Sequence, residues 1–258
     1  MLASERQQKI LDLLKEKKVI KITDIISVFG VSTETARRDL NILESMNLLK
    51  KIYGGATFIS PISSEPSYYT REVINSDEKK AIGKKAAELI NDGETIILDV
   101  GTTTMELAKN LKGKNSIIVL TNSLPIVNEL ANTDTSLHIM GGKLNSGFLS
   151  MSGSLTLSAL KQYFVDIAFI GAGGITFQDG ISDYNIEEAQ VRKYSIERAK
   201  KTVLLADSSK FGTNAFAMVC PLEKVNTIVT DWKISPTVLA GLREQKIEVL
   251  VADNPNNP

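Results

Sequence analysis

A chain of 258 residues with 43% apolar residues has material for a substantial core and exceeds the common size of one domain. Its 30 basic and 30 acidic side chains cancel, so the chain as a whole carries no charge bias toward a polyanion. One cysteine, Cys220, excludes an intrachain disulfide, and one histidine, His138 in "SLHIMGG", reads as a strand residue and gives a zinc site or a Ser-His-Asp triad little to build on.

The first residues, "MLASERQQKI", contain no apolar core of signal-peptide length, and no uninterrupted apolar run approaches ~18 residues. A soluble, cytoplasmic protein in a reducing compartment, with no membrane partner, is expected. Residues 1–60 hold ten Lys or Arg against seven acids. That mild excess suits a small anion-facing module on a near-neutral body.

Residues 4–17 place Ile10, Leu11, Leu13 and Leu14 on one helical face, with Ser4 as candidate N-cap. "TDIISVFG" predicts a second helix entered at Thr23 and stopped by Gly30. After "GVS", a third helix capped by Ser32 or Thr33 carries Ala36, Leu40, Leu43 and Met46 or Asn47 inward. Helix, helix, glycine turn, helix within about 45 residues is a helix-turn-helix arrangement. "LLKKIYGGATFI" follows as a hairpin about Gly54-Gly55, in the position of a wing. Residues 59–75, with two prolines and several serines, read as a linker between a 1–58 winged helix-turn-helix domain and a 76–252 domain, with 253–258 as a tail.

From Ser76 the texture alternates. "SDEKKAIGKKAAELI" is an amphipathic helix; Thr104 to Leu111, the segment about Pro125 to Ala131, "LTLSALKQYF", "NIEEAQVRKYSIERAK" and "SPTVLAGLREQ" are further helices. Between them "ETIILDVG", "SIIVLT", "LHIMGG", "DIAFIGAGG", "KTVLLAD", "NTIVTD" and "IEVLVA" are strands. Apolar runs without polar alternation indicate strands buried on both faces, hence a mostly parallel, Rossmann-like α/β sheet layered by helices.

The N-terminal part of the third helix is where a helix-turn-helix meets base edges. Ser32, Thr33 and Thr35 would cap and position it. Thr33, Arg37 and Asn41 recur at helical spacing, with Glu34 and Arg38 in a neighbouring stripe, so both arginines can face outward. A guanidinium set bidentate on guanine discriminates by ~1–3 kcal/mol. Asp39 is expected to orient an arginine rather than touch DNA. The competing reading, a salt-bridged surface helix with Glu34 and Arg38 paired, is outweighed by the turn before it and the wing after it. Lys50, Lys51, Tyr53, Gly54 and Gly55 form that wing, its lysines serving as sequence-blind phosphate contacts.

"LDVGTTTMEL" places Asp99, Gly101, Thr102, Thr103 and Thr104 at a strand-to-helix turn, where free amides and the positive dipole end can hold an anion. It lacks the lysine of a Walker loop and the glycine spacing of a dinucleotide fingerprint. Small polar residues recur at other strand ends: Asn122 and Ser123, Gly141 and Gly142, Ser152, Gly171 and Gly173, and Asp207 to Lys210. Ligands of open α/β sheets bind outside the carboxyl ends of the strands. A pocket for a small phosphorylated or polyhydroxylated molecule is expected, with Lys210 as a mobile point charge and Asp183, Asn185 and Glu188 setting specificity. No cofactor or metal is called for.

"STETARRDL", with Ser32, Thr35, Arg37, Arg38, Asp39 and Leu40, resembles the helix-turn-helix signature of the DeoR family of bacterial repressors. "DVGTTT", "TNS", "GG", "FIGAGGI", "NIEEA" and "LADSSKFG" resemble that family's sensor domain, so the likeness covers about residues 4 to 252. The resemblance implies a winged helix that binds double-stranded operator DNA and a sensor similar to ribose-5-phosphate isomerase and CoA-transferase folds. It also implies a phosphorylated sugar or derivative as effector, and self-association into dimers or tetramers. It raises an enzymatic alternative as well. The isomerases' acidic segment is matched here by "FIGAGGI", which lacks the carboxylates that proton transfer needs, leaving only Asp179, Asp183, Glu187 and Glu188 nearby.

Overall fold

The computed structural model describes residues 3–45, 48–58 and 66–255. The chain divides into two compact units, Met1–Thr70 and Arg71–Pro258.

The first unit runs α1 (Ala3–Lys17), β1 (Val19–Lys21), α2 (Ile22–Phe29), α3 (Thr33–Ser45), β2 (Leu49–Ile52) and β3 (Gly55–Phe58). Ile10 and Leu14 from α1, Ile25 from α2, and Ala36, Leu40 and Leu43 from α3 close on Ile20, Leu49 and Ala56 as one apolar core. Truncating any large member of such a core to alanine costs ~2–5 kcal/mol. Gly30 ends α2 in the left-handed region at φ 63, returning its N–H to the Ile26 carbonyl at 2.9 Å. The helix begins at Ile22, one residue before the expected entry, because the Asp24 carboxylate accepts the Lys21 N–H at 3.1 Å. Ser32 is the cap of α3, accepting the Thr35 N–H at 3.2 Å. Ser4 lies inside α1 with its side chain outside the described residues, as are Met46 and Asn47.

The wing has a strand the sequence did not reveal. β1 pairs antiparallel with β3, giving the order β1-β3-β2. Three residues wedged between two helices carry too little alternation to announce a strand. In the expected linker, residues 59–65 lie outside the described residues, whereas α4 (Tyr68–Val73) is helical.

The second unit contains α5 (Ser76–Ala87), β4 (Thr95–Leu98), α6 (Thr102–Lys109), β5 (Ile118–Thr121), α7 (Leu124–Leu130), β6 (Ser136–Ile139), β7 (Lys143–Asn145) and β8 (Ser150–Ser152). Then follow α8 (Ser154–Leu160), β9 (Val165–Ile170), β10 (Gly174–Thr176), β11 (Gly180–Asp183), α9 (Ile186–Glu197), β12 (Ala199–Leu205), β13 (Ala217–Cys220), β14 (Thr227–Thr230), α10 (Pro236–Glu244) and β15 (Glu248–Val251). All seven expected strands enter one parallel sheet in the order β15-β14-β12-β9-β4-β5-β6.

Alternate residues explain the layers. Ile96, Leu98, Val119, Ile167, Phe169, Val203, Leu205 and Val229 pack beneath α5, α6 and α7. Ile97, Leu120, Ala168, Ile170, Leu204 and Ile228 point the other way, against α8, α9 and α10. The hairpin β7-β8 and the small antiparallel sheet β10-β11-β13 were not anticipated, since strands of three or four residues are too short to show an alternation. α6 begins at Thr102, two residues before the expected Thr104, directly after Gly101.

The chain leaves β4 toward β5 and β6, then crosses back to β9 and continues outward to β15. The order therefore reverses between β4 and β9, and a crevice opens outside the carboxyl ends of strands at such a switch.

Candidate nucleic-acid interface and effector site

On α3 the burial of Ala36, Leu40 and Leu43 leaves Ser32, Thr33, Arg37, Arg38 and Asn41 exposed and Thr35 half-buried. Thr35 also shares a hydroxyl contact of 3.0 Å with Ser32, so both hydroxyls serve the helix start. Among the described residues neither Arg37 nor Arg38 has an acidic partner, and the Glu34–Arg38 pair of the surface-helix reading does not form.

Asp39 meets its arginine in another helix. It is buried, and it accepts from Arg6 Nε at 2.6 Å, Arg6 Nη2 at 3.3 Å and Gln7 Nε2 at 3.0 Å. Its task is to fasten α3 to α1, not to aim Arg37 or Arg38.

In the wing, Lys51 Nζ donates to Asn41 Oδ1 at 2.6 Å and lies 3.4 Å from Glu44, while its own N–H reaches the Glu44 carboxylate at 2.8 Å. Two residues expected at the DNA surface thus tie β2 to α3. Tyr53 is fully exposed at the hairpin tip, and Gly54 turns the chain at φ 78. Gly55 is not a tip contact. It is buried, and a Cβ there would stand 2.1 Å from the Ile20 carbonyl oxygen, so glycine is required for β3 to approach β1.

At the sensor's switch point, Asp99 follows β4 and is fully buried. It accepts the Gly171 N–H, just past β9, at 3.1 Å and the Arg192 Nε at 2.6 Å. Arg192, from α9, also donates to Asp183 at the end of β11. Burial opposes the Arg192 charge, but Asp99 and Asp183 outweigh it and hold the guanidinium protonated. Burial drives Asp99 upward, with Arg192 opposing.

Glu188 lies one turn before Arg192 and is 1% exposed. Ser150 Oγ donates to its Oε1, and Ser152 Oγ donates to Glu187 at 2.6 Å, stitching β8 to the start of α9. Burial first, then the nearby Asp99 charge, pushes Glu188 up to about 7, against the Ser150 hydrogen bond. β8 also meets the end of β5: Met151 N–H donates to the Asn122 carbonyl at 2.8 Å, and Asn122 Nδ2 donates to the Met151 carbonyl at 2.9 Å. Asp99, Asn122, Ser123, Ser152, Gly171 and Glu188 are therefore gathered at one edge.

Within this cluster Asp99 Oδ1, Asn122 Oδ1, Ser123 Oγ and Glu188 Oε2 are buried without a hydrogen-bond partner among the described residues. Buried polar atoms of that kind cost ~1–3 kcal/mol each unless water or a ligand completes them. The first turn of α6 adds the amides of Thr102, Thr103 and Thr104, which no intrahelical carbonyl can accept.

Several expected contacts have structural duties. Thr104 spends its hydroxyl on the Gly101 carbonyl at 3.0 Å, and Asn185 caps α9 by accepting from Glu187 and Glu188 N–H at 2.8 and 3.2 Å. A Cβ on Gly142 would strike the Ser152 carbonyl at 2.5 Å, and one on Gly173 the Tyr184 ring at 2.9 Å. These glycines permit packing. Gly141 is exposed, its carbonyl held by Thr156 at 2.7 Å. Lys210 ends a short turn after β12, and among the described residues no hydrogen bond or ion pair joins it to the Asp99 cluster. Asp179 is engaged with Asn214 at 2.6 Å.

Arg192 and Ser150 were missed. The signal for Arg192 was present: Glu188, Arg192 and Ser195 recur at helical spacing on the buried face of α9. Cys220 is buried, which raises its thiol to about 11 and leaves it unreactive. Among the described residues no helix is long and apolar enough to cross a membrane.

The comparisons with known proteins agree with this division. A family model described as the DeoR C terminal sensor domain matches residues 74–232, and one described as a DeoR-like helix-turn-helix domain matches residues 6–62. The chain is 37% identical over 250 residues to the uncharacterized HTH-type transcriptional regulator YulB of Bacillus subtilis (strain 168), covering 96% of each protein. It is 32% identical to a putative aga operon transcriptional repressor of Escherichia coli O157:H7, covering 96% of this chain and 93% of that one. It is 29% identical to the glycerol-3-phosphate regulon repressor of Escherichia coli (strain K12), covering 96% and 99%. Among solved structures, ribose 5-phosphate isomerase A from Methanocaldococcus jannaschii is similar over 53% of this chain and 55% of that one, with 22% identity and a TM-score of 0.41. The relatives that span the chain are named as regulators and repressors, which decides against the enzymatic alternative. With both domains matched in chain order and relatives above 30% identity spanning nearly all of it, the chain belongs to the DeoR family of transcriptional regulators.

Proposed function

We propose that this chain represses a sugar-utilisation operon: α3 and the wing hold an operator, and a phosphorylated sugar or derivative bound at the sensor's switch point releases it. The observation that carries the effector reading is the set of partnerless buried oxygens of Asp99, Asn122, Ser123 and Glu188 beside the open amides of α6. Carboxylates and an amide oxygen suit the hydroxyls of a sugar, and a helix start of free amides suits a phosphate. Thr102 and Thr103 are the nearest hydroxyls for that phosphate, and Lys210, on the same edge of the sheet, is a candidate counter-charge. The relatives named for the aga operon and the glycerol-3-phosphate regulon support the same chemistry.

On the DNA side, Arg37 and Arg38 supply base or phosphate contacts, with Thr33, Asn41, Lys51, Tyr53 and Gly54 around them. A dimer would set two recognition helices about 34 Å apart, one turn of a two-fold operator. Release requires that the effector bind the two arrangements of the protein with different affinity.

A thermal-shift screen of phosphorylated sugars, followed by gel shifts with the hits, tests the reading. A ligand at a hundred times its dissociation constant should stabilise the sensor by ~2.7 kcal/mol and weaken DNA binding. Stabilisation by no member of a panel of three- to six-carbon sugar phosphates would remove the effector from this site.

A further inference from the structure

The segment entering the second unit is fastened by two side chains that neither the DNA face nor the effector cluster uses. Asn75, between α4 and α5, holds φ at +53, an uncommon value for a residue with a side chain. It is kept there by three contacts. Asn75 Nδ2 donates to Asp207 Oδ1 at 3.0 Å and to Ser209 Oγ at 3.3 Å, and the Asn75 carbonyl accepts the Lys79 N–H at 3.0 Å.

Lys79 completes the arrangement from below. It is 5% exposed, and its ammonium donates to the carbonyls of Ile74, at 2.5 Å, and Arg71. Burial depresses this ammonium to about 8; Asp207 opposes that shift, while Lys210 and Arg71 add to it. A buried lysine spent on two carbonyls of a connecting turn is a costly way to hold a turn, and a neutral side chain would do for packing alone.

The other end of the fastening is equally firm. Asp207 follows β12, whose neighbour in the sheet is β9, and its carboxylate also accepts the Ser209 N–H at 3.1 Å. Ser208 N–H donates to Asp231, past β14, at 2.6 Å. The turn 207–209 is thereby fixed to the carboxyl edge of the sheet, while residues 71–75 continue covalently from Thr70 of the first unit.

We infer that Asn75 and Lys79 are positioning residues for regulated DNA binding, clamping the 71–75 connector to the turn after β12 so that events at the sheet's carboxyl edge reach the segment leading into the DNA-binding unit. The inference rests on the proposal that this edge senses an effector, yet linkage is reciprocal, so it can be tested from the DNA side without knowing the effector.

The test is hydrogen exchange on the full-length protein, alone and bound to an operator fragment that the protein itself selects from random DNA. The wild type is compared with Asn75→Gly, which keeps the left-handed backbone and removes the amide, and with Lys79→Met. Operator binding should change exchange at residues 71–79 and again at 208–212 in the wild type. In either variant the change at 208–212 should fall to about a fifth or less while operator affinity stays within about threefold. Absence of a change at 208–212 in the DNA-bound wild type, or its persistence at full size in both variants, would overturn the clamp. Selection of no DNA at all would overturn the operator reading along with it, whereas a lost clamp with intact operator binding leaves the repressor proposal standing.

Discussion

Replacing Glu188 by glutamine should stabilise the sensor at neutral pH and leave it unchanged in acid. The carboxylate is buried beside Asp99, and among the described residues the one hydrogen bond it accepts is from Ser150. It therefore keeps its proton up to about 7, instead of the ordinary 4.5. A carboxyl whose folded value is raised makes stability fall as pH rises through the interval between the two values, because the unfolded chain has already released the proton. The full cost is present above about 7 and absent below 4.5, and at 1.36 kcal/mol for each tenfold it amounts to about 3 kcal/mol. Glutamine matches the size, still accepts from Ser150 and does not titrate. Urea unfolding followed by the fluorescence of Trp232, the single tryptophan and a residue of the second unit, isolates the sensor. The variant should gain about 3 kcal/mol over the wild type near pH 8 and almost nothing near pH 4.5. An equal difference at both pH values, or a loss at pH 8, would refute the placement of Glu188 as a carboxyl strained by burial.

Arg192→Met removes the cation shared by Asp99 and Asp183 and should cost the sensor ~3–5 kcal/mol near neutral pH, read by the same Trp232 unfolding. Arg37→Ala and Arg38→Ala, at exposed positions without acidic partners among the described residues, should each weaken operator binding by ~1–3 kcal/mol at fixed salt with an unchanged melting temperature. A phosphate-contacting arginine will also lower the salt slope by about one, whereas a base-reading one will relax preference at one operator position. Gly55→Ala, with its Cβ 2.1 Å from the Ile20 oxygen, should break the β1-β3 pairing and lower both the melting temperature and DNA affinity. Gly54→Ala meets open space and should cost only the ~1–2 kcal/mol of a left-handed residue; equal losses at the two positions would contradict the packing role of Gly55.

The sequence by itself determined which segments are helices and strands and how each is turned. Ala36, Leu40 and Leu43 set the inward face of α3, Gly30 ended α2, and the unbroken apolar runs at 96–98, 167–170 and 203–205 required cover on both faces of the sheet. Those features act within a few residues, through periodicity, capping and permitted φ. Tertiary structure alone decided what they meet. The reversal of strand order between β4 and β9 selected which strand ends share a crevice, and it brought Arg192 to an Asp99 93 residues away. It gave Asp39 to Arg6 of another helix, set Gly55, Gly142 and Gly173 where a Cβ would clash with a neighbour, and made a wing strand of Val19–Lys21. A buried charge or a close backbone approach is defined by its partner, and these partners lie too far along the chain for any local pattern to name them.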